Sequence, residues 1–190
     1  MATASGLAAA LGPGVAPEAV TALHANHDRL ALAYDPCRLR LIAAVSRKVL
    51  LDGNAFGDAE GGPPSSAIAI RLSDERGEYL AWASAEGGVH VFGLAAALLS
   101  GRTQDMTRLL NVPALGWHDR VTALAWVHSA VAAPQLASGD ARGEVRLWQL
   151  ETSGSTSTKN ARWQRRILHP TEGSPIVQLE CGPATTQDVD

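Results

Sequence analysis

The sequence is poor in the residues that specialised chemistry or placement would demand. Two cysteines occur in 190 residues, Cys37 and Cys181, far apart and at no ligand spacing. Isolated thiols suit a reducing compartment and exclude a fold built on disulfides. No window holds the roughly 18 continuous apolar residues of a membrane span. Charge of either sign is scarce: 16 basic and 19 acidic side chains leave a net of -3. That balance lacks the basic excess of a dedicated nucleic-acid binder. Yet 46% apolar and only 18% charged residues exclude a disordered chain and supply a packed core. The first residues have no basic n-region, and Gly12, Pro13 and Gly14 interrupt their apolar run, so they do not read as a signal peptide. Residues 1–17 are expected to be a flexible leader and 183–190 a flexible tail.

Catalytic and ligand motifs are also missing. No serine sits in a Gly-x-Ser-x-Gly elbow. His24 and His27 are three apart, but no Cys or His cluster follows at zinc spacing. Gly57 to Gly62 (GDAEGG) lacks the Gly-Lys-Ser/Thr that cradles phosphate. Neither a cofactor nor a metal is expected.

What the chain does have is punctuation. Eighteen glycines and ten prolines separate short apolar segments, the pattern of many short strands. Strands are expected near Leu30 to Tyr34, Leu39 to Val45 and Val49 to Leu51. Further ones are AIAIRL (Ala67 to Leu72), YLAWA (Tyr79 to Ala83) and VHVFG (Val89 to Gly93). A later set is VTALAWV (Val121 to Val127), QLAS (Gln135 to Ser138) and EVRLWQL (Glu144 to Leu150), followed by RWQRRIL (Arg162 to Leu168) and IVQLE (Ile176 to Glu180). Leu94 to Ser100 (LAAALLS) is the one expected helix, ending before Gly101 in a connection. Asp52 to Ser66, Gly101 to Asp105 and Thr152 to Asn160 read as unstructured linkers.

Internal repetition is the strongest signal. Leu80 to Phe92 (LAWASAEGGVHVF) aligns without a gap on Leu136 to Trp148 (LASGDARGEVRLW) at an offset of 56 residues. Each copy is a strand, a tight polar turn ending in glycine, and a strand ending in an aromatic. Such turns need a positive φ, which glycine adopts cheaply. A second echo pairs His27 to Tyr34 (HDRLALAY) with His118 to Trp126 (HDRVTALAW).

These residues resemble the WD-repeat family of β-propellers, most closely over Gly116 to Leu150. Gly116 and His118 stand for the family's Gly-His pair, and LASGDARGEVRLWQ for its strand, turn and Trp-Asp strand. Gln149 replaces the final aspartate. Phe92 holds the Trp position in the second repeat, and Val49 to Asp52 (VLLD) is a degraded version in the first. The resemblance implies an all-β fold, a partial WD-type propeller of antiparallel four-stranded blades over 18–182. The expected blades are about 19–52, 65–93 and 106–150, with an incomplete one at 162–180. Propellers close with 4 to 8 blades, so further chain, a partner subunit or self-association would complete the ring.

The family's blades contain a buried hydrogen-bond chain of histidine, Ser/Thr, aspartate and Trp. His118, Ser138 and Trp148 match three of those roles. The aspartate's place falls on Arg142, and Asp140 is the candidate substitute. His118 beside Asp119 is thereby read as structural rather than as an acid–base pair. Trp117, and the basic aromatic strand of Arg162, Trp163, Arg165 and Arg166, are candidate partner-binding residues. The alternative for that strand is a blade's charged, solvated edge. Trp126 alternates with Leu124 and is expected in the core.

Function follows only at the level of class. The leading expectation is a non-catalytic protein–protein interaction scaffold in the cytoplasm, without nucleic-acid partners. It would be a subunit or fragment of a membrane-trafficking or ciliary assembly, peripheral to endomembranes or in a cilium. The arrangement is similar to the N-terminal propellers of Hermansky–Pudlak-type trafficking subunits. The alternative is the substrate receptor of a ubiquitin ligase. The Phe/Leu-Arg-Arg-Gly stretch of phosphoinositide-binding propellers is absent, since Ile167 follows Arg165 and Arg166. So is the Trp-Asp-x-Arg of cullin adaptors, since Gln149 follows Trp148.

Overall fold

The computed structural model describes residues 20–34, 37–56, 66–73, 78–112, 120–127, 135–151, 162–169 and 173–180. Within them the chain forms three four-stranded antiparallel sheets. The first holds β1 (Val20–Ala25), β2 (Arg29–Tyr34), β3 (Arg38–Ala43) and β4 (Val49–Asn54). The second holds β5 (Ala67–Leu72), β6 (Tyr79–Ser84), β7 (Val89–Gly93) and β8 (Thr107–Val112). The third holds β9 (Val121–Val127), β10 (Gln135–Asp140), β11 (Val145–Glu151) and β12 (Arg162–His169). Every sheet pairs its strands in chain order. The first strands β1, β5 and β9 lie side by side, so the sheets radiate from a shared inner edge.

Alternation along the strands gives each sheet two apolar faces. The face toward the preceding sheet is termed the front and the other the back. Ala31, Ala33, Leu39, Leu41 and Leu51 on the back of the first sheet pack with Leu80, Trp82 and Phe92 on the front of the second. Ala81, Ala83, Val89 and Val91 behind them pack with Leu124, Trp126, Leu136 and Trp148 of the third. Burial of these rows, worth about 1.5–3 kcal/mol per large side chain, is what orders the sheets against one another.

The 56-residue repeat maps onto one hairpin made twice. Leu80 faces Phe92 across β6 and β7, and Leu136 faces Trp148 across β10 and β11. Gly87 and Gly143 have φ of 97° and 87°. Their N–H groups donate to Ser84 O at 2.8 Å and Asp140 O at 3.2 Å. The register reveals a third copy that the sequence reading misses. Leu30 faces Ile42 and Tyr34 faces Arg38, so LALAYDPCRLRLI is the first sheet's version. Cys37, at φ 72°, stands in the glycine's place, and Ile42 takes the aromatic position. The expected equivalent, VLLD, is instead part of β4.

The His-Asp-Arg echo does not mark equivalent places. His27–Tyr34 leads into β2, a second strand, whereas Val121–Trp126 is β9, a first strand. The true partner of β9 is β1, and Val20–Leu23 and Val121–Leu124 both read VTAL. Thr21 and Thr122 donate to Ala33 O at 3.4 Å and Gly139 O at 3.3 Å, the same bond in two sheets.

Strand grouping differs from expectation at both later boundaries. Thr107–Val112 belongs to the second sheet, because the connection from β7 turns back on itself. In that connection α1 (Ala95–Ser100) is capped by Gly101 at φ 73°, whose N–H donates to Ala97 O. A 3-10 turn at Thr103–Asp105 follows and packs against β4. The supposed linker at 101–105 is therefore structured. Arg162–His169 completes the third sheet through pairing with β11 rather than opening a fourth. Ile176 to Glu180, expected as a strand, joins no ladder. The residues 52–56 assigned to a linker are also ordered: Ala55 and Phe56 are core residues. The expected leader, the tail and the 152–160 linker lie outside the described residues.

Candidate functional site: the sheet fronts and the third hairpin

Three of the site residues expected from sequence, Ser138, Asp140 and Trp148, lie together on the front of the third sheet. Trp148 Nε1 donates to Ser138 Oγ at 2.8 Å, both groups buried. Ser138 is 1% exposed, so it serves as a satisfied core acceptor and offers no accessible nucleophile. Asp140 is buried beside it but does not extend the Ser138–Trp148 bond. Its Oδ1 accepts the backbone N–H of Arg142 and of Glu144, each at 2.9 Å. Its Oδ2 lies 3.0 Å from Arg146 Nη2, an ion pair out of line for a hydrogen bond. Arg146 Nε donates to Glu144 Oε1. Asp140 thus ties the hairpin turn through two backbone N–H groups and neutralises an arginine.

The second sheet solves the same place differently. Ser84 occupies Asp140's register and its Oγ accepts the Gly88 N–H at 3.0 Å, the bond Asp140 makes to Glu144. Trp82 and His90 stand where Ser138 and Arg146 stand. Phe56 is wedged edge-on against Trp82, His90 and Phe92, with centroids 5.3, 5.1 and 5.2 Å away. Burial, and then the nearby charge of Arg108, lower the His90 pKa to about 4, against a weaker opposing bond with Asn111. The ring is therefore neutral at pH 7.

A third cluster, on the front of the first sheet, was not singled out from sequence. The Tyr34 hydroxyl donates to Asp52 Oδ1. Arg40 donates to Asp52 Oδ2 through Nε at 3.1 Å and Nη2 at 2.5 Å. The guanidinium carbons of Arg38 and Arg40 lie 5.4 and 5.6 Å from the Tyr34 ring centroid. Burial raises the Asp52 pKa, but the Tyr34 and Arg40 bonds and the two positive charges outweigh it and hold the carboxyl below its usual range. The signal available in sequence was RLRLI, whose alternate arginines must share one face of a strand.

The remaining candidates are placed as follows. Trp117, His118 and Asp119 lie outside the described residues. Arg162, Trp163, Arg165 and Arg166 are on β12, the outermost strand of the third sheet, opposite Glu151, Leu150, Trp148 and Leu147. Trp126 is buried and its Nε1 donates to Arg71 O at 3.0 Å, tying the second sheet to the third. His24 Nδ1 accepts the Leu72 N–H at 3.1 Å across the first joint. Burial, then the charge of Arg71, lower its pKa to about 4. Among the described residues no group of three or more His, Cys, Asp or Glu side chains is placed to hold a metal. No helix among them is long and apolar enough to cross a membrane.

This geometry recurs in solved structures. The computationally designed Ika8 protein superposes with a TM-score of 0.54 and 18% identity over 86% of this chain and 40% of its own. The β-propeller domain of Myceliophteria thermophila Cps50 (Swd1) gives 0.52 and 15% identity over 82% and 45%. The fold is a partial β-propeller. Saccharomyces cerevisiae Sqt1 gives 0.51 and 15% over 81% of this chain and 37% of its own. This propeller segment therefore spans less than half the length of those three chains. No protein-family model matches the sequence, and no curated protein does.

Proposed function

We propose that the chain is a non-catalytic protein–protein interaction scaffold, a propeller segment working as a subunit or fragment of a larger assembly of the membrane-trafficking or ciliary kind. One observation carries this reading. The polar side chains that the repeats bring together, Ser138, Trp148, Asp140 and Arg146, are spent on one another inside the sheet front. They hold the hairpins in place and leave loops and strand edges as the surfaces for partners. Sheet faces left open are an association liability, which supports completion by further sheets.

Native affinity purification of the tagged chain, with companions identified and counted, tests the proposal. A stoichiometric protein companion is the expected result. A ubiquitin-ligase adaptor in that place would replace the trafficking role with a substrate-receptor role. Recovery of the chain alone as a compact monomer would sink the scaffold reading.

A further inference from the structure

The back of the third sheet repeats a surface that is already filled one sheet earlier. Ala81, Ala83, Val89 and Val91 are at most 1% exposed beneath the third sheet. The same register positions in the third sheet are Ala137, Gly139, Val145 and Leu147. They are again small or branched and apolar, but Val145 and Leu147 are only half-buried. At the other end of the chain, the front of the first sheet carries the row that such a surface receives. Leu30, Leu32 and Ile42 hold the registers of Leu80, Trp82 and Phe92. Leu32 and Ile42 are buried with Val20 and Leu30 packed on them. Leu23 and Val49, opposite Leu32 and Ile42, are 42% and 45% exposed. One chain thus carries both halves of a joint that it builds twice internally.

A strap formed by Gly173–Glu180 covers the inner part of the third sheet's back. The Ile176 N–H donates to Asp140 O at 3.0 Å and Gly173 N–H to Arg142 O at 3.2 Å. Thr122 Oγ1 shares its single proton between Gly139 O and Ile176 O. The Ile176 side chain lies over bare Gly139, where any Cβ would collide with it. Val177 is left 87% exposed.

We propose that the back of the third sheet docks the front of the first sheet of a second copy of this chain, and that the strap competes for the inner part of that surface. The inference rests on the scaffold reading and names its partner. The two surfaces match in the manner of the two internal joints. Joined head to tail in this way, the described sheets of two chains, three from each, would form one continuous row.

Sedimentation equilibrium of the purified chain from about 1 to about 100 μM tests it, read as a dissociation constant. A reversible monomer–dimer equilibrium is expected. Leu147→Glu and Leu23→Glu, on opposite halves of the joint, should each weaken it by about tenfold or more, as one unpaired buried charge does. Ile176→Asp, which dislodges the strap, should tighten it several-fold. Leu23 is already exposed, so its variant keeps the fold, and circular dichroism checks all three. A wild-type chain and an Ile176→Asp variant that both stay monomeric would overturn the proposal, as would a dimer indifferent to both glutamates. A chain monomeric alone that still retains a stoichiometric companion from cells defeats self-pairing and leaves the scaffold reading standing.

Discussion

The fronts of the second and third sheets have the same backbone and opposite chemistry. In the third, Ser138 accepts from Trp148, and Asp140 is set against Arg146. In the second, Trp82, His90 and Phe92 fill those registers and close around Phe56. The backs hardly vary: Ala31, Ala81 and Ala137 share one position, and Leu41, Val91 and Leu147 another. A nearly constant back sets the spacing between sheets. The front then needs only to fill a fixed volume, either with a small polar acceptor beside a large indole or with rings around an inserted wedge. Among the described residues Trp82 Nε1 and His90 Nδ1 have no hydrogen-bond partner. The aromatic solution therefore leans on packing where the polar one leans on hydrogen bonds.

The comparison breaks most severely at the wedge. Phe56→Ala should cost about 3–5 kcal/mol, the range for truncating a buried ring, read as a drop in the urea midpoint. The matching lesion in the third sheet is smaller. Ser138→Ala leaves Trp148 Nε1 buried without an acceptor and should cost about 1–3 kcal/mol. Equal losses from the two variants would mean that packing and hydrogen bonding are not divided between the sheets in this way. Asp140→Ser, which writes the second hairpin's residue into the third, should fall at or below the Ser138→Ala loss. Its hydroxyl can still accept the Glu144 N–H, as Ser84 does for Gly88, while the Arg146 pair is lost.

How far all this was legible in the sequence follows from the same comparison. The second and third hairpins were readable because glycine stands at the positive-φ position and a ring ends the second strand. The first hairpin carries Cys37 and Ile42 at those places, so the pattern lost both markers although the backbone kept its shape. Ten of the twelve strands among the described residues were readable from alternation or composition, and so was the helix ending at Gly101. Strands β1 and β8 were not expected, and Ile176 to Glu180 was expected as a strand without forming one. The assignment of β8 and β12 to sheets was not readable. It depends on hydrogen bonds made across a connection, and composition records only the connection. Phe56 was hidden because it follows Gly53 and Asn54 in a stretch that reads as loop. Only its three ring partners reveal it as core. Of the candidate site, Ser138 and Trp148 were legible through the repeat. Asp140 was expected as the substitute aspartate of the buried hydrogen-bond chain, whereas it ties the turn and pairs with Arg146, six positions on and across the ladder.

Acidification should separate the two joints. His24 and His90 lie on either side of the joint between the first and second sheets, both with folded pKa values lowered to about 4 from 6.5. A lowered value means that the unfolded chain binds protons first as pH falls. The stability that these neutral rings contribute is complete above about 6.5 and drains away between there and about 4. Protonated His24 would also lose the lone pair that accepts the Leu72 N–H. Hydrogen exchange should show β1 and β5 losing protection over that interval before β10 and β11 do. Simultaneous loss would place the acid-sensitive groups elsewhere.

The smallest effect is expected where two terms oppose. Cys37 holds a left-handed conformation that costs a residue with a Cβ about 1–2 kcal/mol, and Gly87 and Gly143 meet the same demand in the other hairpins without that cost. Cys37→Gly relieves the strain, but it also removes a side chain that is 1% exposed and packed into the first core. The lost burial is worth about 1–2 kcal/mol at ordinary coefficients, so the net change should lie within about 1 kcal/mol of zero. Cys37→Ala keeps the strain and loses the sulfur, so it should be the less stable of the two variants. If alanine proved the more stable, conformational strain at this turn would be negligible, and the first hairpin's departure from glycine would have no energetic consequence.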